Sequence, residues 1–336
     1  MTAVTTAAEV VELPATRPGP KRPIASSVLD LIGETPMVDL SELSPNPAVR
    51  IIGKLEGQNP AGSVKDRIAK AMILAAEADG SLRPGQRIIE PSSGNTGIAL
   101  AMIAKVRGYP ITIVLPENVS PERRQLLEAF GAEIIPTPGA EGSNGAVRRA
   151  QRLAEEHPEW CFLYQYGNAA NPSAHYTGTG PEIFRDVPEL THFVAGLGTS
   201  GTLMGVGRYL KERKPDVQLV AVEPPIGEQV EGLRNLDEGY VPPVFDDWGG
   251  QDLLDRKMIV RPKESLEWTR RLADVGVFAG ISSGASLAGA IKVANRIDEG
   301  TIVAIICDGG WKYLSTGAWT DDLDVVAERA KRIIYF

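Results

Sequence analysis

Short runs of β-branched and aliphatic residues recur along the chain at 87–90, 111–115, 133–136, 192–195, 217–223 and 301–307, and stretches with helical spacing separate them. That alternation predicts βα units and mostly parallel sheets. Residues 98–106 are small and apolar, as in a packed helix, and Ser120-Pro121-Glu122 offers an N-cap, a proline at the first helical position and an acidic first turn. The strand-helix alternation occurs in two series. Turn formers concentrate between them, at Gly167-Asn168-Ala169-Ala170-Asn171-Pro172. The pattern predicts two α/β domains, 27–168 and 169–325, with a cleft between them, a flexible extension at 1–26 and a tail at 326–336. Part of 37–58 is left open to joining the second domain.

Composition narrows the function. With 336 residues, 43% of them hydrophobic, the chain can bury two substantial cores. The net charge of -8 is spread along the sequence, and no Lys/Arg block interleaves with aromatics, so a nucleic-acid partner is not expected. Cys161 and Cys307 lie far apart with no CxxC spacing, which argues against a disulfide framework or a metal site. The longest apolar runs, such as 301–306, fall well short of the roughly 20 residues that a membrane-spanning helix needs. The first 26 residues lack both a basic start and an apolar h-region, so the expectation is a soluble, cytoplasmic protein.

Three segments carry candidate chemistry. Ser92-Ser93-Gly94-Asn95-Thr96-Gly97 follows a strand and opens a helix, where unpaired N–H groups and the positive dipole end suit a carboxylate or phosphate. An ordinary polar turn fits that hexapeptide equally well. Gly196-Leu197-Gly198-Thr199-Ser200-Gly201-Thr202 also joins a strand to a helix, and its glycines let the backbone approach a phosphate. It lacks the Gly-Lys-Ser/Thr ending of a Walker loop. Asn59-Pro60-Ala61-Gly62-Ser63-Val64-Lys65-Asp66-Arg67 runs a turn into a helix, with Lys65 at the start. A lysine there is ordinarily a solvated charge, but inside a cleft desolvation makes its amine a nucleophile and base suited to Schiff-base chemistry. His157, His175 and His192 are scattered and read as structural.

Together these segments, with Leu31-Ile32-Gly33-Glu34-Thr35-Pro36-Met37-Val38, resemble the fold type II, or β-family, of pyridoxal-phosphate (PLP) enzymes, and the cysteine synthases among them. The resemblance implies two three-layer α/β domains with mostly parallel sheets and the cofactor in the cleft between them. It assigns Lys65 as the residue that holds the cofactor and moves the substrate's Cα proton. Asn95 is expected at the cofactor's phenolic oxygen, Gly198, Thr199, Ser200, Gly201 and Thr202 at its phosphate, and Ser282 at its pyridine nitrogen. Ser92, Ser93, Gly94, Thr96 and Gln165 are expected around the substrate carboxylate. A hydroxyl at the ring nitrogen leaves that nitrogen largely neutral, which favours β-elimination over transamination.

The implied reaction is a ping-pong β-replacement through an aminoacrylate, in which a sulfur nucleophile displaces the β-substituent of an activated serine to give cysteine. Tyr164-Gln165-Tyr166, His175-Tyr176-Thr177-Gly178-Thr179-Gly180, Leu233-Arg234-Asn235-Leu236-Asp237-Glu238-Gly239 and Gly309-Gly310-Trp311-Lys312-Tyr313-Leu314-Ser315-Thr316 resemble the O-phosphoserine-using branch, whose sulfur comes from a small thiocarboxylated carrier protein. Arg234 is then expected at the donor's phosphate. A homodimer is also implied. The extension and the tail depart from that branch and leave open the synthesis of another β-substituted alanine, such as 2,3-diaminopropionate, or a non-catalytic PLP-binding role. The apolar end of the tail is expected either to cap the core or to close over the cleft.

Overall fold

The computed structural model describes residues 24–92 and 94–330. Residues 1–23, Ser93 and 331–336 lie outside the described residues, and with them most of the expected extension, one expected substrate contact and the end of the expected tail.

Ten strands form two sheets. In chain order they are β1 (Met37–Asp39), β2 (Val49–Leu55), β3 (Ile88–Pro91), β4 (Ile111–Pro116), β5 (Glu133–Thr137), β6 (Cys161–Phe162), β7 (His192–Gly196), β8 (Gln218–Glu223), β9 (Arg256–Ile259) and β10 (Gly300–Ile306). The smaller sheet has the order β5-β4-β3-β6 and is parallel throughout. The larger has the order β1-β2-β10-β7-β8-β9, in which β1 alone runs antiparallel to its neighbour. β2 pairs along its whole length with β10, Val49 opposite Gly300 through Leu55 opposite Ile306, so residues 49–55 belong to a sheet otherwise built mainly from residues after 190.

Each sheet is buried on both faces, which explains the unbroken apolar runs in the sequence. Along β10, Ile302, Ala304 and Ile306 pack with the helices Pro262–Asp274 and Ile281–Ala294, while Val303 and Ile305 point the other way, onto the helix Gly201–Arg213. Along β4, Ile111, Ile113 and Leu115 face the helices Lys65–Asp79 and Asn95–Arg107, and Val114 faces the helix Gly142–Glu156. The period of two in a strand thus sorts one sequence run into two cores. The result is two three-layer α/β units, as expected.

The six strands read from the sequence form within a residue or so of their expected ends. One detail differs: Ser120 sits at the N-cap of the helix Pro121–Ala129, but its side chain makes no capping bond and its hydroxyl donates instead to the Lys312 carbonyl at 3.1 Å. The parallel strands of the two sheets release their connections at carboxyl ends that meet in one cleft, the position where open α/β sheets bind ligands.

Candidate active site

The cleft encloses about 1130 Å³, its open mouth included, and segments that follow β2 through β10 line it. The chain leaving β2 turns through 56–64 and starts the helix Lys65–Asp79 with Lys65 itself. That turn is held firmly. Asn59 Nδ2 donates to the carbonyls of Glu56 and Ser63, the Ala61 N–H donates to Asp66 at 2.6 Å, and the Val64 N–H donates to the Cys307 carbonyl at 2.8 Å. Gly62 has φ +81°, and a Cβ there would come within 2.8 Å of the Trp311 ring.

The chain leaving β3 forms the 92–97 loop. The Ser92 hydroxyl accepts the N–H groups of Gly97 at 2.9 Å and Gly94 at 3.3 Å, which shapes the turn from within. Thr96 donates to Gln165 Oε1 at 2.7 Å, so two residues 69 apart in sequence stand side by side. The chain leaving β7 forms the third loop, with Ser200 in the left-handed region at φ +67° and the helix Gly201–Arg213 directly behind it. At Gly198 a Cβ would lie 2.5 Å from the Gly232 carbonyl oxygen. All the expected site residues within the described chain line this one cleft: Lys65, Ser92, Gly94, Asn95, Thr96, Gln165, the loop 198–202, Arg234 and Ser282.

The pyridoxal-phosphate dependent enzyme family matches residues 28–308. The chain belongs to that family. It is 44% identical to cysteine synthase B of Salmonella typhimurium over 293 residues, 87% of this chain and 95% of that protein. Among solved structures it is similar to O-ureido-L-serine synthase, at 40% identity and a TM-score of 0.82 over 88% of this chain and 96% of that one. It is also similar to the cysteine synthase of Entamoeba histolytica, at 32% identity and a TM-score of 0.84 over 94% of this chain and 98% of that one.

The site fits the cofactor of this PLP-dependent family. The 13-residue helix Gly201–Arg213 aims its N-terminal N–H groups at the loop, and Thr199, Ser200 and Thr202 add hydroxyls, the combination that suits a phosphate. Gly232, at φ +74°, has no side chain, and a Cβ there would stand 4.0 Å from the Ser282 hydroxyl, so the glycine leaves the cleft open beside the residue that would hold the ring nitrogen. Lys65 reaches the wall between these two features. Burial lowers the pKa of its amine, against the opposing pull of the Asp308 and Glu56 carboxylates, and this favours the neutral, nucleophilic form. The Cys307 thiol beside it is pushed up to about 11 by burial and by Asp308, so it stays protonated at neutral pH.

Contacts made only in the folded chain complete the site. Asn171 donates to the Gln165 carbonyl at 2.9 Å and to the Thr199 hydroxyl at 3.0 Å, tying two cleft loops together. His175, read as structural, is buried with Nδ1 3.1 Å or less from one threonine hydroxyl and Nε2 at a second: 2.9 Å to Thr179 and 3.1 Å to Thr202. Its pKa is held well below 6.5 by burial and by the Arg67 cation, so it works as a neutral hydrogen-bonding ring that steadies Thr202. Arg234 lies over the faces of Tyr166 and Tyr240, at 5.1 and 4.8 Å from the ring centroids, and the two tyrosines fix where its charge stands.

Proposed function

We propose that this PLP-dependent enzyme is a cysteine synthase that exchanges the β-substituent of an O-activated L-serine for a sulfur nucleophile, with O-phospho-L-serine as its preferred donor. What carries the reading is the meeting of Lys65, the Thr96–Gln165 pair, the 198–202 loop and Arg234 in one cleft. Pyridoxal phosphate supplies an electron-withdrawing ring that acidifies the substrate's Cα–H and lets the β-substituent leave. In this reading Lys65 Nζ anchors the cofactor and, once freed, takes the Cα proton and later returns it to the same carbon. Asn95, Ser282 and the 198–202 loop hold the cofactor, while Ser92, Ser93, Gly94, Thr96 and Gln165 receive the substrate carboxylate. Arg234 meets the leaving group.

A guanidinium grips a phosphate through two parallel hydrogen bonds, an advantage that an acetyl ester does not enjoy. Loss of one such contact costs about 1.5 to 3 kcal/mol, or roughly ten- to hundredfold in rate. Arg234→Ala therefore slows the donor half-reaction with O-phosphoserine by that order and barely alters it with O-acetylserine, as stopped-flow absorbance will register. Equal losses with both donors, or a wild-type preference for O-acetylserine, would remove Arg234 from the role and the phosphorylated donor with it.

The likeness to O-ureido-L-serine synthase supports a second reading, another β-substituted alanine made with a different nucleophile. A panel of sulfide, a thiocarboxylated carrier protein, hydroxyurea and ammonia, tested with one donor, separates the two. The same reading makes the enzyme a cytoplasmic homodimer. Both cysteines are free thiols, and among the described residues no helix is long and apolar enough to cross a membrane.

A further inference from the structure

Lys312 is a lysine with 0% exposure, and it lies behind the cleft wall rather than on it. A buried ammonium needs partners for its N–H groups. Here it donates to Asn95 Oδ1 at 2.7 Å and to the Gly62 carbonyl at 2.9 Å. Burial lowers the Lys312 pKa, and the Asp308 and Asp66 carboxylates oppose that shift.

The consequence falls on Asn95. A side-chain amide has one acceptor end and one donor end, and which way round it sits is decided by its neighbours. Lys312 offers only N–H groups, so it faces the amide oxygen. On the other side Asn95 Nδ2 donates to Asp308 Oδ2 at 2.7 Å, and that same oxygen accepts the Tyr313 hydroxyl. A donor-only group and an acceptor-only group therefore bracket the amide, and only one orientation satisfies both. With its oxygen held by Lys312, the polar atom that Asn95 has left for an oxygen acceptor in the cleft is Nδ2.

We propose that Lys312 is a positioning residue that fixes the Asn95 amide with its N–H group as the donor presented to the cofactor's phenolic oxygen. The proposal rests on the reading of Asn95 as a cofactor contact. It also explains why a lysine is buried here at all: an apolar side chain in its place would leave the amide oxygen without its donor and Asp308 alone to set which way round the amide sits.

A double-mutant cycle on the holoenzyme tests this, with two readouts that need no turnover: the visible absorption band of the bound cofactor, and the cofactor's Kd measured by titrating apoprotein. Lys312→Met, which keeps length and loses the donors, is expected to shift the band and raise Kd about tenfold, the size of one lost hydrogen bond to a charged group. Lys312→Arg, which keeps a donor-only cation, is expected to hold the wild-type band. In an Asn95→Ala background, Lys312→Met is expected to change neither readout further, because its effect passes through the amide. An undiminished Lys312→Met effect in that background overturns the proposal and assigns the lysine to the Gly62 carbonyl alone. A wild-type band and Kd in Lys312→Met overturn it as well. Should Lys312→Met not fold, Lys312→Arg decides: a band matching that of Asn95→Ala overturns the proposal, and the wild-type band supports it. If Asn95→Ala itself leaves band and Kd unchanged, the reading of Asn95 as a cofactor contact fails, an outcome distinct from a failure at Lys312.

Discussion

Glu90 sits on β3 at 0% exposure, and its two oxygens accept the backbone N–H groups of Tyr164 at 2.7 Å and Gln165 at 3.0 Å. Tyr164 is in the left-handed region at φ +51°, so the carboxyl holds a strained turn in the place where Gln165 can meet Thr96 and Tyr166 can lie under Arg234. Burial pushes the Glu90 pKa up to about 8, and the two N–H bonds only partly offset it. A folded-state pKa above the unfolded one means that folding binds a proton. The stability tied to that proton is complete below the ordinary carboxyl value of 4.5 and is lost as pH rises through 8. Glu90→Gln cannot ionise, so urea unfolding across this window should show the variant gaining on the wild type by a few kcal/mol, on the order of 1.4 per pH unit, and levelling off above it. A constant gap would mean that Glu90 is not titrating there. Lys65 and the 92–97 and 196–202 loops were legible because their chemistry is local, a few residues at a strand end. Glu90 and Asn171 were not, because their partners lie on other segments that only the fold brings near.

The loop at 198–202 works only because of the helix behind it. A Cβ on Gly201 would lie 1.8 Å from Asn171 Oδ1, so Gly201→Ala must displace a buried amide and with it the bonds to the Gln165 carbonyl and the Thr199 hydroxyl. By helix propensity alone, alanine in place of glycine is better by about 1 kcal/mol. Two hydrogen bonds of about 1 kcal/mol each and the forced repacking outweigh it. The expected outcome is a lower Tm of the apoprotein and a cofactor Kd raised about tenfold or more, by calorimetry and absorbance titration. A Tm at or above wild type would show that Asn171 swings aside freely. The long central strands were legible because burial on both faces leaves an unbroken apolar run. β1, β2, β6 and β9 carry no such run. β6 spans two residues, β9 opens with Arg256 and Lys257 on a sheet edge, and β2 carries Arg50 and Lys54 within its run. Lys54 breaks the apolar pattern, yet it is fully buried, because its charge is met by a partner far along the chain.

That partner belongs to a network joining elements that the sequence keeps apart. Glu182, on the helix Gly180–Asp186, pairs with Lys54 of β2 at 2.7 Å and with Arg67 of the helix Lys65–Asp79 at 2.7 Å, and Arg67 also pairs with Glu56 at 2.7 Å. All four side chains are buried. The six-stranded sheet, the turn that presents Lys65 and the helix that follows the inter-series break are thus locked by two cations and two carboxylates. Burial pushes the Glu182 pKa up, but the Arg67 and Lys54 cations outweigh it and hold the carboxyl at about 2. A depressed folded-state pKa contributes stability above the ordinary value of 4.5 that is lost as pH falls toward 2. Glu182→Gln leaves Lys54 without its carboxylate and Arg67 with one instead of two, so it is expected to cost about 3 to 5 kcal/mol at pH 7, the range for breaking a buried pair. The deficit should shrink as pH drops from 4.5 toward 2, where the wild-type carboxyl protonates as well. Arg50 and Glu189 pair at 2.9 Å with both side chains half-exposed, and Glu189→Gln provides the contrast: a change within about 0.5 kcal/mol at any pH. Chemical unfolding of the two variants side by side separates a lock between elements from a solvated surface pair, and a Glu182→Gln deficit no larger than that of Glu189→Gln would show that the buried network does not hold the molecule together.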